Sequence, residues 1–146
     1  LEVFAAVREA SKGVLGIRLS ATDWVEGGWT PEETADMAVR LKQAGADYVH
    51  ISSAGVSPLQ KIAIGPGYQV PFAENLKTES HTQVGAVGQI TSGKQAEEIL
   101  QRGLVDVVLV GREFLRDPQF PLRAAHELGV DVTWPVQYER GKFPTA

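Results

Sequence analysis

The sequence predicts an α/β fold on a parallel sheet, and three observations lead to it. Four short apolar runs recur along the chain, helical patterns separate them, and those helices carry their own start and stop signals. Short strands alternating with capped helices imply parallel strands joined by right-handed crossovers. Two architectures meet this description: an open doubly wound sheet, and part of a (β/α)8 (TIM) barrel. No G-x-G-x-x-G opens the first helix, so the open sheet lacks its main dinucleotide-binding signature. A barrel takes about 250 residues and eight strand–helix units. The 146 residues here carry half that number of units.

Each element has a local reason. Leu1, Phe4 and Val7 keep a helical spacing from the first residue, and there is no initiating Met, so the chain reads as starting inside a helix. In Leu15–Ser20 the residues Leu15, Ile17 and Leu19 share one face, with Gly16, Arg18 and Ser20 on the other. Thr30-Pro31-Glu32-Glu33 supplies an N-cap, a first-turn proline and a capping-box glutamate; Ala35, Ala38 and Leu41 form the apolar stripe, and Gly45 ends the helix. Tyr48–Ser52 is the second strand, and a weaker helix runs from Phe72 to about Ser80. The third strand, Val84–Gly88, is rich in small residues. Ser92-Gly93-Lys94-Gln95 repeats the capping-box pattern ahead of Ala96, Ile99 and Leu100, and Gly103 is the stop. Val105–Val110 is almost continuously apolar, as a strand covered on both faces should be. Asp117-Pro118 starts a last helix that Gly129 ends, with Pro121 predicting an irregular first turn.

Composition narrows the function classes. Hydrophobic residues make up 43% and charged residues 22%, which argues against a disordered or fibrous chain. No apolar run approaches the roughly 18 residues that cross a bilayer. The absence of cysteine excludes a disulfide scaffold, a thiol nucleophile and a zinc site built on thiolates. A net charge of −4 gives no footprint for nucleic acid. A cytoplasmic location is expected.

In parallel α/β folds ligands bind at the carboxyl ends of the strands. Those ends hold Arg18 with Ser20, Ser52 with Ser53, Gly85 to Gly88, and Gly111 with Arg112. Barrels often bind phosphate between the loops after their last two strands, beside a short extra helix. Gly85-Ala86-Val87-Gly88 and Gly111-Arg112 end consecutive strands, and Glu113–Arg116 suits the short helix. Glycines that merely make tight turns and a solvated Arg112 are the plainer reading; the pairing of two adjacent loops favours phosphate. Arg18 sits mid-strand and needs either an ion pair, with Asp47 as the candidate, or an electron-rich ligand atom. His50 reads as a packing residue with its polar atoms satisfied, while His81 and His126 read as surface positions. No Ser–His–Asp arrangement and no metal-ligand spacing is visible.

Several segments together resemble a known family. They are Gly85-Ala86-Val87-Gly88, Ala96-Glu97-Glu98-Ile99-Leu100, the run from Asp106 through Gly111-Arg112-Glu113-Phe114-Leu115-Arg116 to Asp117-Pro118, the tail from Pro135 to Gly141, and Gly65-Pro66-Gly67-Tyr68-Gln69-Val70-Pro71-Phe72-Ala73-Glu74. The pattern is similar to the Old Yellow Enzyme family, in particular its thermophilic-like branch of NADPH-dependent ene-reductases. The resemblance implies an FMN-binding (β/α)8 barrel that reduces activated C=C bonds in a small-molecule substrate with hydride from NADPH. It implies that Arg18 lies beside the flavin's N1 and C2 carbonyl, stabilising the negative charge of the reduced form. It further implies that Gly111 and Arg112 hold the FMN phosphate, with Gly85 and Gly88 in the adjoining segment. Arg140 would reach into a neighbouring subunit of a homo-oligomer. The family's substrate-anchoring histidines, proton-donor tyrosine and flavin-tuning cysteine belong to its first four units and have no counterpart here. Residues 1–146 are therefore expected to be the C-terminal half of the barrel, units five to eight, inactive without a complementary N-terminal half. The helix at Leu1 would be the one before the fifth strand. Two other readings are a different FMN- or phosphate-binding barrel enzyme and a non-catalytic half-barrel that self-associates through its strand edges.

Overall fold

The computed structural model describes residues 1–53 and 55–144. The helices are α1 (Glu2–Ala10), α2 (Pro31–Gln43), α3 (Val70–Ser80), α4 (Gly93–Gln101), α5 (Arg112–Arg116) and α6 (Phe120–Glu127). The strands are β1 (Gly16–Ser20), β2 (Tyr48–Ser52), β3 (Val84–Ala86) and β4 (Val107–Val108), and a 3-10 helix covers Val136–Gly141. The described strands form one sheet in the order β1-β2-β3-β4, with every pair parallel. An open doubly wound sheet reverses its strand order at a switch point; this sheet does not. Sequential order is that of four consecutive barrel units.

Burial makes the same choice. Register aligns Ile17 with Val49 and Val49 with Val84, so Ile17, Leu19, Val49, Ile51, Val84, Ala86, Val108 and Val110 share one face. That face forms a single core with Ala35 and Ala38 of α2, Val70, Ala73 and Leu76 of α3, and Ile99 of α4. Arg18, His50, Gly85 and Val107 align on the opposite face. In a doubly wound sheet helices cover both faces. Here no helix covers the second face, which is open at its edges, with Arg18 exposed on β1 and Val107 43% exposed on β4. Between them His50 and Gly85 are buried, Gly85 under the Leu109 side chain. The fold is half of a (β/α)8 barrel, and the open face is the one that lines a barrel's interior.

Small residues shape that open face. The Tyr48 ring occupies the space that a side chain on Gly16 would need. At Gly85 a Cβ would meet Leu109 Cδ1 at 2.6 Å. The expectation that the fourth strand is covered on both faces is corrected here, since one face alone is packed. Its ladder is also shorter than the apolar run, because β3 offers a three-residue partner and β4 has no neighbour beyond it among the described strands.

The helix starts follow the local chemistry with one variation. Thr30 Oγ1 accepts from Glu33 N–H while Glu33 Oε2 accepts from Thr30 N–H, a closed capping box. Ser92 Oγ likewise accepts from Gln95 N–H, but Gln95 reaches past the cap to Thr91 N–H (3.0 Å) and to the Gln89 carbonyl (3.2 Å). The second box is therefore open, and its glutamine braces the turn that follows β3. Helix α3 begins at Val70, two residues before the expected Phe72, and α6 begins at Phe120 after an Asp117–Gln119 turn, with Pro121 in its first turn. Helix α1 buries Phe4, while Leu1, Val3 and Val7 line an open apolar groove of about 580 Å³ with Leu15, Ile17, Leu19 and Leu41.

Helix α6 docks on the start of α4. At Gly93 a Cβ would lie 2.8 Å from Ala124 Cα, so the two backbones touch. Glu127 Oε2 accepts from Gly93 N–H at 2.7 Å, placing a carboxylate at the positive end of α4. Burial alone would raise the Glu127 pKa. The Gly93 N–H, then hydrogen bonding and charge from Arg123, hold it below the ordinary value instead.

Two outcomes follow. Gly93→Ala is expected to destabilise the protein by about 1–3 kcal/mol in urea unfolding, because Ala124 backbone cannot move aside as a flexible side chain would. Because the folded-state pKa of Glu127 is the lower one, its contribution is present above the unfolded-state value and lost as pH falls through the folded-state value. Glu127→Gln is thus expected to be less stable at neutral pH, with the gap closing below the ordinary glutamate range; a gap that ignores pH would contradict this.

Candidate functional site

The carboxyl ends of the strands converge on a cavity of about 450 Å³. Its wall includes Arg18 from β1, Ser53 after β2, Gln69 at the start of α3, Val87 to Thr91 after β3, and Leu109, Gly111, Arg112, Glu113 and Arg116 around α5. Four predicted residues therefore meet: Arg18, Gly88, Gly111 and Arg112. Two do not. Gly85 lies within β3 beneath Leu109, and Arg140 sits exposed on the 3-10 helix. Neither lines the cavity.

Arg18 is held by its strand neighbour, with Nε donating to Ser52 Oγ at 3.0 Å. The alternative of an ion pair with Asp47 is overturned. Asp47 Oδ2 is taken by Arg8 Nη1 at 3.1 Å and by Leu15 N–H at 2.7 Å, so it anchors α1 and the entry to β1. The remaining guanidinium donors of Arg18 have no protein acceptor among the described residues and face the open side. His50, its register partner on β2, is buried as expected, but its Nε2 lacks a hydrogen-bond partner, which corrects the expectation that its polar atoms are satisfied. Burial first, and then the Arg18 charge, lower the His50 pKa, so the imidazole is neutral at physiological pH. His81 and His126 are exposed, and His126 stacks on Phe143 with ring centroids 4.3 Å apart.

The loop after β3 is built around a residue that sequence reasoning missed. Gln69 is buried; its Oε1 accepts from Ser53 Oγ at 2.7 Å and its Nε2 donates to the Val87 carbonyl at 3.3 Å. One side chain thereby ties together the segments following β2 and β3. Gly67 N–H donates to the Gly88 carbonyl at 2.8 Å alongside it. Gly88 must be glycine twice over: its φ is +131°, and a Cβ would crowd Gln69 at 3.1–3.2 Å. The next residue, Gln89, has φ +49°, a strained conformation for a side-chain-bearing residue and a common mark of ligand-binding loops. The available signal for Gln69 was a polar residue immediately before the Val70-Pro71 helix start.

Gly111 is the N-cap of α5 and Arg112 its first residue. Arg112 has no carboxylate partner among the described residues. Arg116 instead donates through Nε and Nη2 to Glu113 Oε2 at 3.0 and 2.8 Å. The cavity wall thus presents two arginines without acidic partners and a third engaged with the single carboxylate there. Such a wall offers unpaired donors suited to an anion at the Gly111–Arg112 end and to an electron-rich atom beside Arg18. Among the described residues no cluster of three metal-ligating side chains occurs, and no helix is long and apolar enough to cross a membrane.

Comparison with known proteins bears on this geometry. Residues 1–131 match the NADH:flavin oxidoreductase / NADH oxidase family. An NADPH dehydrogenase of Geobacillus thermodenitrificans (strain NG80-2) is 50% identical over 140 residues, covering 96% of this chain and 41% of that protein. An NADPH dehydrogenase of Bacillus licheniformis is 45% identical over 139 residues, again with 41% of its length covered. Among solved structures, morphinone reductase superposes with a TM-score of 0.62 at 25% identity, over 92% of this chain and 35% of its own. The chain spans about two fifths of the length of the curated relatives it matches.

Gln69→Leu leaves the Val87 carbonyl and Ser53 hydroxyl without their partner. A loss of about 1–3 kcal/mol in unfolding free energy is expected, with faster amide exchange at Gly88 and Gln89; unchanged exchange there would show that the bridge does not hold the loop.

Proposed function

The chain belongs to the NADH:flavin oxidoreductase / NADH oxidase family, and from that premise we propose that it is the phosphate-binding half of an FMN-dependent enzyme that oxidises NADPH and reduces activated C=C bonds. The observation that carries the reading is the meeting of Arg18, Gly88, Gly111 and Arg112 around one cavity at the carboxyl ends of the strands. The donor set fits the cofactor. Arg112 has no acidic partner to displace, Gly88 and Gly111 put no side chain between ligand and backbone, and Arg18 keeps free donors at the sheet end of the cavity. Gly111, Arg112 and Gly88 would hold the phosphate, and Arg18 would sit against the ring system.

Bound there, FMN supplies a two-electron carrier between a nicotinamide and an electron-poor alkene. The work of this chain's own residues is electrostatic and positional. Ser52 fixes the direction of Arg18, so its charge needs no reorganisation when negative charge develops next to it. Gln69 fixes the loop carrying Gly88, and neutral His50 adds no second cation beside Arg18. The open sheet face and the apolar groove along α1 and β1 support a complementary N-terminal half-barrel as partner, closing both strand edges. Groups that anchor substrate and donate its proton would come from that half. Arg140, exposed on the 3-10 helix, is available to a neighbouring subunit of a homo-oligomer, and the proposed setting is the cytoplasm.

A second reading is another FMN- or phosphate-binding barrel enzyme, since the residues brought together here handle the phosphate end rather than the substrate. Both readings meet in one experiment on purified barrel-length protein. The expected result is copurified flavin and NADPH-dependent reduction of an enone. Arg112→Ala is expected to weaken FMN binding about tenfold or more, in line with loss of a charge-assisted contact. Bound flavin with no enone turnover would favour the second reading, and protein that neither retains nor rebinds flavin would overturn the first reading and the FMN form of the second.

A further inference from the structure

The single carboxylate in the cavity wall belongs to Glu113, one residue after Arg112. A carboxylate beside a phosphate site opposes binding unless its charge is compensated. Both of its oxygens are occupied. Arg116 donates twice to Oε2, and Arg123 Nη2, from α6, donates to Oε1 at 3.0 Å. Arg123 reaches Glu113 from outside the cavity and does not line it.

Arg123 is itself fixed from several directions. Nε donates to Asp117 Oδ2 at 2.7 Å, Nη1 to Glu127 Oε1 at 2.5 Å, and its guanidinium carbon lies 5.2 Å from the Phe120 ring centroid. Asp117 closes α5, and Glu127 caps the start of α4. One planar guanidinium thus serves three carboxylates on separate sides, a geometry that a lysine ammonium cannot copy.

We propose that Arg123 is a specificity-determining positioning residue: by pairing with Glu113 from behind, it adds a second cation to the one Arg116 supplies, damps the field of the cavity's one carboxylate and raises the preference of the Gly111–Arg112 end for a phosphorylated flavin over its unphosphorylated form. The proposal rests on the reading of this cavity as the flavin-phosphate site. Arg116 alone occupies one Glu113 oxygen and leaves the other bare. With Arg123 absent, that oxygen loses its donor and Glu113 keeps one cation instead of two, so the potential at the site of an incoming dianion becomes more negative.

The test titrates barrel-length apoprotein with FMN and with riboflavin, which differ in the phosphate alone, and follows flavin fluorescence. Arg123→Met is expected to weaken FMN binding about tenfold while changing riboflavin binding less than about twofold. Adding Glu113→Gln to Arg123→Met is expected to restore most of the FMN affinity, because the charge that Arg123 offsets is then gone. Glu113→Gln alone keeps the Arg123 contacts to Asp117 and Glu127, and is expected to bind FMN at least as tightly as the native chain. That single variant carries the test if Arg123→Met does not fold. A native preference for FMN that is undiminished in Arg123→Met overturns the proposal, as do equal losses for both flavins, a double variant no better than Arg123→Met, or weakened FMN binding in Glu113→Gln. A native protein that binds riboflavin as tightly as FMN overturns the phosphate reading along with it.

Discussion

Helices cover this parallel sheet on one face alone, and the rest of the structure depends on that asymmetry. The covered face carries β-branched and small apolar residues from every strand and forms one core with α2, α3 and α4. The other face carries Arg18, His50, Gly85 and Val107 in one register row. A charged residue in the middle of a doubly covered sheet would be stranded in a low-dielectric layer. On an open face it remains hydrated until a ligand or partner segment replaces the water. The sheet also ends in two strand edges, β1 and β4, and the covered face has an apolar groove beside α1, surfaces that a closed barrel would bury.

Above the sheet, the cavity is held by cross-links between loops rather than within them. Gln69 joins the segments after β2 and β3, and Gln95 braces the turn after β3 from the start of α4. Arg123 joins α5 to α6, and Glu127 joins α6 to α4. Each link fixes a loop from an element that is itself packed on the core or on its neighbour. Site residues on loops are placed well when the supporting contacts come from rigid elements. The strained φ of Gln89 and the left-handed φ of Gly88 persist because this bracing determines them from outside.

Much of the fold was legible because its signals are local. The Thr30–Glu33 box, the Ser92 cap and the period-two alternation of Leu15–Ser20 act within a few residues and appear in the structure as read. The convergence of Arg18, Gly88, Gly111 and Arg112 was also legible, since parallel topology places every strand's carboxyl end on one side. Partner choice was not. Asp47 was an acceptable partner for Arg18 by composition, yet its carboxylate bonds Arg8 and Leu15, 39 and 32 residues away in sequence. His50 looked satisfied because most buried polar groups are, and its unpaired Nε2 shows up only once its neighbours are in place.

By itself the sequence determined the class of the fold, the number and order of its units, and which strand ends could meet a ligand, because periodicity, caps and turn residues are short-range physics. Tertiary structure alone decided that one sheet face stays open, that Gln69 ties the loops of the cavity, and that Glu113 is matched by Arg123 from another helix. Those outcomes depend on distances between residues far apart in the chain. Several side chains could satisfy the same charge or hydrogen-bond demand, and packing chooses among them.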